Sequence, residues 1–492
     1  MSRTKEEENV FLGLDLGTSG LRAVLANDGG TIIASSEGTY PVAHAHPGWS
    51  EQDPADWIAA LNGCVAELRS SHPAEFAALK GIGVSGHMHG ATCLDDSGDV
   101  IRPCILWNDT RSHAEAAALD AAPRVRDLSG NIVFPGFTAP KLVWMQKNEP
   151  ENFARVAKVL LPAAYLNFYM TGRYFADMSD SAGTSWLDVG ARDWSDVLLS
   201  ASGMRRDQMP ELVEGSEAGG TLRPELAADW GVSSDVAVVG GGGDNAVAAC
   251  GVGTLREGDG FVSLGTSGVL LAAKDSFAPM PSSAVHTFCH AIPGTWYQMG
   301  VILAATDSLN WLSRNLGKGA ADLSRDLGET ISGPGDLRFL PYLSGERTPH
   351  NDSAIRGAFI GLDIGAGHAE LTQAVMEGVS FALRDNLAAL ESTGTKLDRV
   401  LAIGGGSQSP YWVELLATLL NIQIDLPEAG DFGAALGAAR LAICGATGAK
   451  PTDIMTAPAV AKTISPRADL VAAYQDAWQK YRASYSAIKA IQ

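Results

Sequence analysis

The pentapeptide LGTSG is written twice in this chain, at Leu16–Gly20 and at Leu264–Gly268. Apolar runs flank both copies, FLGLD and LRAVLA around the first, GFVS and VLLAA around the second. Short apolar runs on either side of a Gly/Thr/Ser turn read as strand, turn, strand. A chain rich in Ala, Gly and Leu can share a pentapeptide by chance, but matched flanks are not expected from chance. Each half therefore opens with the same hairpin, which constrains the chain to two related folding units. Its 492 residues leave room for roughly two to three domains.

Hydrophobic residues make up 46% of the chain and charged residues 19%, the balance of a globular protein with a large core. Asp and Glu outnumber Lys and Arg by 56 to 36, for a net charge of −20. That excess argues against general nucleic-acid or anionic-membrane binding. It leaves room for an anionic ligand, because backbone N–H groups and a metal ion hold phosphates locally. Cys64, Cys93, Cys104, Cys250, Cys289 and Cys444 show no C-x-x-C spacing and read as buried, reduced thiols of a cytosolic protein. The leader MSRTKEEENV is too polar for a signal peptide, and no apolar run is long enough for a membrane span.

Along the chain, NDGG at 27–30 marks a further hairpin turn. Asp53 before Pro54 predicts a helix from Pro54 to about Leu68, with Trp57, Leu61 and Val65 on one face. LKGIGVSGHMHG reads as a buried strand ending in a loop. VAVVGGGGDNAVAACGVG reads as a strand, a four-glycine turn and a small-residue helix. Later come the strand RVLAIGGG, a helix from about Tyr411, the Ala/Gly-rich helix GDFGAALGAARLAICG and a surface helix over 470–492. The order strand, strand, helix, strand predicts a mixed α/β fold.

Chemistry-bearing residues gather in four places. Asp15 precedes the first turn, whereas Ser263 precedes the second. A Gly-Thr-Ser turn presents N–H groups and hydroxyls that suit phosphate oxygens. A carboxylate beside one of two such cradles would hold the cation that bridges the phosphates; two ordinary tight hairpins explain the same residues. In GGGGDN, Asp244 is placed to accept a proton from an attacking hydroxyl, or simply to cap a helix. GHMHG at 86–90 has the spacing of a metal-binding His pair, but His113, His286 and His290 do not complete a ligand set. It reads instead as a polar pocket wall with His89 on a substrate hydroxyl. ILWNDTR adds Trp107, Asn108, Asp109 and Arg111, an aromatic wall with polar groups that suits a sugar, unless Trp107 is plain core. LAIGGGSQSPYW at 401–412 would let a flat ring or a phosphate lie against backbone. A G-x-x-x-x-G-K-[ST] phosphate loop is absent from the sequence.

Together these features resemble the FGGY carbohydrate kinases of the actin/Hsp70/sugar-kinase ATPase superfamily. GFTAPKLVWMQKN at Gly136–Asn148 matches one family signature, with Thr138, Lys141 and Trp144 at the expected spacing, and Gly357–Glu377 matches the other. HPGWSEQDPADW, GHMHGAT, ILWNDTR, DMSDSAGTSWLDV, GGGDNA and FLPYLSGERTPHN carry the likeness over nearly the whole chain. The resemblance implies an α/β fold of two ribonuclease-H-like domains with a cleft between them. Their expected spans are 1–255 and 256–445, with a helical tail over 446–492 packing back on the first. It implies ATP as co-substrate, Mg²⁺, and phosphorylation of D-xylulose, with D-ribulose or L-xylulose as alternatives. Asp244 is the implied general base, and Asp15 sits where the family organises Mg²⁺. Met88, His89, Trp107, Asn108 and Asn245 would contact the sugar. Thr18, Ser19, Arg22, Gly265, Thr266 and Ser267 would face the phosphates, and Gly405, Gly406 and Ser407 would bound the adenosine. His87 departs from the Gln of close relatives. The expected protein is cytoplasmic, without nucleic-acid or membrane partners, and a homodimer is its expected assembly. The acidic leader is extra and expected to be disordered.

Overall fold

The computed structural model describes residues 9–428 and 433–492; the leader expected to be disordered lies, at 1–8, outside them. The chain forms two compact units. One holds the chain through Leu255, Phe288–Trp296 and the segment from the helix Ala434–Thr447 to Ala457. The other holds Arg256–Thr287, the chain from Tyr297 to Glu428, and Pro458–Gln492.

The first unit is built on a seven-stranded sheet. Val10–Leu16 pairs antiparallel with Gly20–Asn27, which pairs antiparallel with Ile32–Thr39 around the NDGG turn. On its other edge Val10–Leu16 runs parallel to Leu79–Gly86, followed by Ala237–Val239 and, antiparallel at the edge, Ala218–Thr221. The helix Pro54–Ser71 starts where expected, its Asp53 cap accepting from Ala55 N–H, and runs to Ser71. Its buried Trp57, Leu61, Val65 and Leu68 join Leu12, Leu14, Leu21 and Val84 in one apolar cluster.

The opposite face takes a different helix for a steric reason. Gly13 and Gly83 sit under the helix Ala434–Thr447, where an added Cβ would lie 2.0 Å from Ala435 O and 2.1 Å from Ala438 O. Only glycine strands beneath an Ala/Gly-rich helix can come that close. Gly83→Ala is expected to cost about 1–3 kcal/mol by overpacking, read as a lower thermal midpoint. An unchanged midpoint would mean that the helix rides free of the sheet.

The second unit repeats the scheme. Gly260–Leu264 pairs antiparallel with Gly268–Lys274 across the second LGTSG turn and runs parallel to Arg399–Ile403. Gln423–Pro427 follows in parallel, and Val460–Ile464 closes the edge antiparallel. The long helix His368–Ser392 and the helix Pro410–Leu420 cover this sheet with a large apolar core.

Two expected boundaries are corrected. The helix Ala434–Thr447 does not belong with 256–445 but with the first unit, because its small residues fit the glycine-bearing strands there. The tail expected over 446–492 packs on the first unit only through Ala457; from Pro458 on it belongs to the second. Its strand Val460–Ile464 extends the second sheet, and its helix Val471–Lys489 buries Tyr474, Trp478 and Tyr481 in the second core. Trp478 Nε1 donates to Asp385 Oδ1 at 2.9 Å, which fixes that seat. All six cysteines are buried and free of disulfides. Among the described residues no helix is long and apolar enough to cross a membrane.

Candidate active site

In the first unit the sheet delivers three chain segments to one end. Val10–Leu16 carries Asp15 one residue before its end, and the parallel neighbour of Asp15 in register is Ser85. The Ser85 hydroxyl donates to Asp15 Oδ1 at 3.0 Å, so the carboxylate is held from its own sheet. Across the antiparallel ladder Asp15 pairs in register with Arg22, which lies 3.5 Å from Glu37. The turn that follows is braced on several sides. Tyr40 Oη donates to Gly17 O at 2.6 Å, Gln52 Nε2 to Thr18 O at 2.6 Å, and Trp107 Nε1 to the Thr18 hydroxyl at 3.0 Å. Ser19 stays exposed at its tip.

The loop after Leu79–Gly86 separates its two histidines. His87 is buried edge-on against Trp57 at 5.6 Å, and burial holds its pKa down at about 3. It is a neutral residue of the core rather than of an open pocket. Met88 packs beneath Gly243, where an added Cβ would meet Met88 Cγ at 2.9 Å. His89 has a left-handed backbone, φ 72, rare for a residue with a Cβ. Its Nδ1 lies 2.7 Å from Gly183 O, and its ring stacks on Phe137 with centroids 4.5 Å apart. Among the described residues no group of three or more His, Cys, Asp or Glu side chains could hold a metal ion.

Gly242 and Gly243 pair in parallel with Ser85 and Gly86, which sets Asp244 beside the same strand end. Gly241 has φ +73, and a Cβ there would sit 2.0 Å from Val84 O, so the chain passes only as glycine. Asp244 begins the helix Asp244–Val252, but the capping position is Gly243. The Asp244 carboxylate accepts from Asn245 N–H at 2.7 Å and from Asn245 Nδ2 at 2.8 Å. Burial raises its pKa to about 6. The nearby Asp15 charge adds to the rise and the Asn245 bonds oppose it. A base poised there is ionised at neutral pH yet takes up a proton readily.

One neighbour was missed. Asp180 is 2% exposed, and neither carboxyl oxygen has a hydrogen-bond partner among the described residues. Burial, then the charges of Asp177 and Asp244, raise its pKa well above the usual carboxylate range. Asp177 caps its short helix, and the Ser179 hydroxyl accepts from Gly243 N–H at 3.1 Å. The run DMSDSAGTSWLDV was its signal, but nothing in the spacing shows which of its carboxylates turns inward.

Trp107 is 38% exposed, not core, and Asn108 beside it is exposed. Asp109 and Arg111 lie behind them. Asp109 accepts from Ser50 N–H at 2.6 Å and from Arg111, whose guanidinium stacks 3.5 Å over Trp49. The signature segment ties these loops together. A Cβ at Gly136 would lie 2.0 Å from Trp107 O, while the Thr138 hydroxyl and Lys141 Nζ both donate to His89 O, at 3.1 and 2.7 Å.

In the second unit the turn Gly265–Ser267 docks on the start of the helix Thr306–Leu316. Gly265 O accepts from the Thr306 N–H and hydroxyl, at 2.9 and 2.7 Å, and Thr266 O from Ala305 N–H at 2.8 Å. Next to it Gly405 and Gly406 line a cavity of about 660 Å³ with Thr306, Asn310, Ser324 and Gln408, a volume in the range of small-ligand sites. Gly405 faces open space. Ser407 is buried behind them, its hydroxyl donating to Gly404 O at 2.7 Å, and closes the turn rather than lining the cavity.

Comparison with known proteins identifies the family, although its C-terminal domain model runs on through the helix that packs with the first unit. Residues 10–251 match the N-terminal domain of the FGGY family of carbohydrate kinases, and residues 260–446 match its C-terminal domain. The chain is 45% identical over 479 residues to a xylulose kinase of Escherichia coli K12, covering 97% of this chain and 98% of that one. It is 46% identical to a xylulose kinase of Klebsiella pneumoniae, covering 88% and 89%. A solved structure described as a "xyloylose kinase" from Brucella ovis is 58% identical, with TM-score 0.97 over 98% of this chain and all of that one. With both halves matched in order and nearly every residue covered, the chain belongs to the FGGY family of carbohydrate kinases, sugar phosphotransferases that use ATP.

Proposed function

We propose that this kinase transfers the γ-phosphoryl group of ATP to the terminal hydroxyl of D-xylulose, giving D-xylulose 5-phosphate. The observation that carries the reading is Asp244, a half-buried carboxylate with its pKa raised to about 6, beside Met88 and the fixed His89. The substrate itself rests on the relatives, which bear the name xylulose kinase at 45% and 46% identity.

In this mechanism Asp244 accepts the proton of O5 as that oxygen attacks phosphorus in line. Metaphosphate-like transfer needs little covalent help, so the rest is placement and charge stabilisation. Met88, His89, Trp107, Asn108 and Asn245 orient the ketose. Thr18 and Ser19 in one turn, and Gly265, Thr266 and Ser267 in the other, offer N–H groups and hydroxyls to phosphate oxygens, with Arg22 adding positive charge. The cavity at Gly405 and Gly406 takes the adenosine, and Ser407 supports that turn from behind.

Asp15 fits a role toward Mg²⁺. It is one carboxylate steadied by Ser85, without a ready-made cage of three or more ligands among the described residues. Mg²⁺ characteristically takes one or two carboxylates and fills its sphere with water and phosphate oxygens. When bound with the nucleotide it would neutralise phosphate charge. We place the reaction in the cytoplasm, where ATP and six unpaired thiols both belong.

The test is ADP release with Mg-ATP against D-xylulose, D-ribulose, L-ribulose, L-xylulose, glycerol and gluconate. D-xylulose is expected to give the highest kcat/KM. A better substrate elsewhere in the panel would replace the sugar and keep the mechanism, and sugar-independent turnover alone would overturn both.

A further inference from the structure

We infer that Lys141 and Thr138 are positioning residues for sugar recognition, acting through the backbone of His89. The inference rests on the proposed reading of His89 as a sugar contact. Lys141 is 0% exposed, and its hydrogen bond among the described residues is the one to His89 O. Taking an amine out of water for a single backbone carbonyl is costly, and burial lowers its pKa to about 7. Among the described residues no carboxylate forms an ion pair with it: the charge of Asp109 offsets part of that cost from a distance, but its oxygens are engaged by Arg111 and Ser50. The carbonyl it holds belongs to a residue in a left-handed conformation, φ 72, which surrounding structure must impose.

Three constraints then meet on one side chain. Lys141 Nζ and the Thr138 hydroxyl fix the His89 carbonyl at 2.7 and 3.1 Å. Phe137, from the same signature, sets the plane of the ring by stacking. Gly183 O can only accept, so a hydrogen sits on Nδ1, which in a neutral ring makes Nε2 the acceptor. A histidine fixed in backbone, plane and tautomer can discriminate between sugar hydroxyls at little ordering cost. This gives the signature residues Phe137, Thr138 and Lys141 a task, although none of them is proposed to touch the sugar.

A double-mutant cycle tests the coupling. Lys141→Met keeps the length and removes the donors. It is expected to raise the KM for D-xylulose about tenfold or more in the native background, yet to change it less than about twofold when His89 is already alanine. The KM for ATP should stay within about twofold in both backgrounds, a split that general loosening of the fold would not produce. Equal losses in both backgrounds, or a matching rise in the KM for ATP, would overturn the inference. Should Lys141→Met fail to fold, Thr138→Val, which removes the second bond to the same carbonyl, carries the same cycle with the same outcomes. If the native enzyme prefers another sugar of the panel, the substrate assignment fails by itself and the cycle is run on that sugar.

Discussion

Asp244→Asn is expected to lower kcat roughly 10²- to 10⁴-fold, the usual worth of a general base, with the KM for ATP little changed. Asparagine suits this test because the carboxylate's present bonds survive it. Its side-chain oxygen can still accept from Asn245 N–H and Nδ2, now made at 2.7 and 2.8 Å. A group whose pKa is raised by burial is strained in its charged form, so the amide should leave the thermal midpoint unchanged or slightly higher. Loss of activity together with loss of stability would point to a structural role instead. The native enzyme carries a pH signature of the same group. The working form is the carboxylate, so kcat/KM should hold at neutral pH and fall on the acid side with a midpoint near 6, where burial chiefly sets the pKa. A midpoint near 4 would mean that the group is solvated in the free enzyme.

Legibility in the sequence followed the range of the interaction. The two hairpins, the Asp53–Pro54 helix start and the four-glycine turn are local devices, and each appears where its residues place it. Asp15 and Asp244 were readable for the same reason, since each sits beside a turn whose chemistry is written in adjacent residues. The helix Ala434–Thr447 was readable as a helix made for close packing. Its seat was not, because that depends on Gly13 and Gly83, hundreds of residues upstream. The tail misled in the same way. Tyr474, Trp478 and Tyr481 form a buried stripe, but which core receives a stripe is decided by partners such as Asp385 and Tyr342. His87 and His89, two residues apart, could not be told apart by spacing. One fills the core against Trp57, and the other is turned out by a positive φ. Asp180 escaped because a carboxylate left without partners reads no differently in sequence from a capping one.

Asp15→Asn is expected to cost roughly 10²- to 10³-fold in kcat, the scale of one lost electrostatic contact to a transferring group. The substitution keeps an oxygen for the Ser85 hydroxyl, which now donates at 3.0 Å, so the strand end should hold its shape. Ser85→Ala, which removes only that bond, should therefore cost far less, on the order of 1 kcal/mol or about fivefold. Two further readouts separate a charge role from a shape role. Half-saturation by Mg²⁺ should rise in Asp15→Asn and stay near the native value in Ser85→Ala. The acid limb of the pH profile should also move. The Asp15 charge helps to hold the Asp244 pKa up, so neutralising it lowers that pKa and shifts the limb to lower pH. The variant would then lose less of its own activity than the native enzyme between pH 6 and pH 5, against a lower ceiling, on the titration rules that set those limits at about one unit per tenfold change. A limb that stays in place, with the Mg²⁺ requirement unchanged, would show that Asp15 works on neither the cation nor the base, and would remove it from the mechanism.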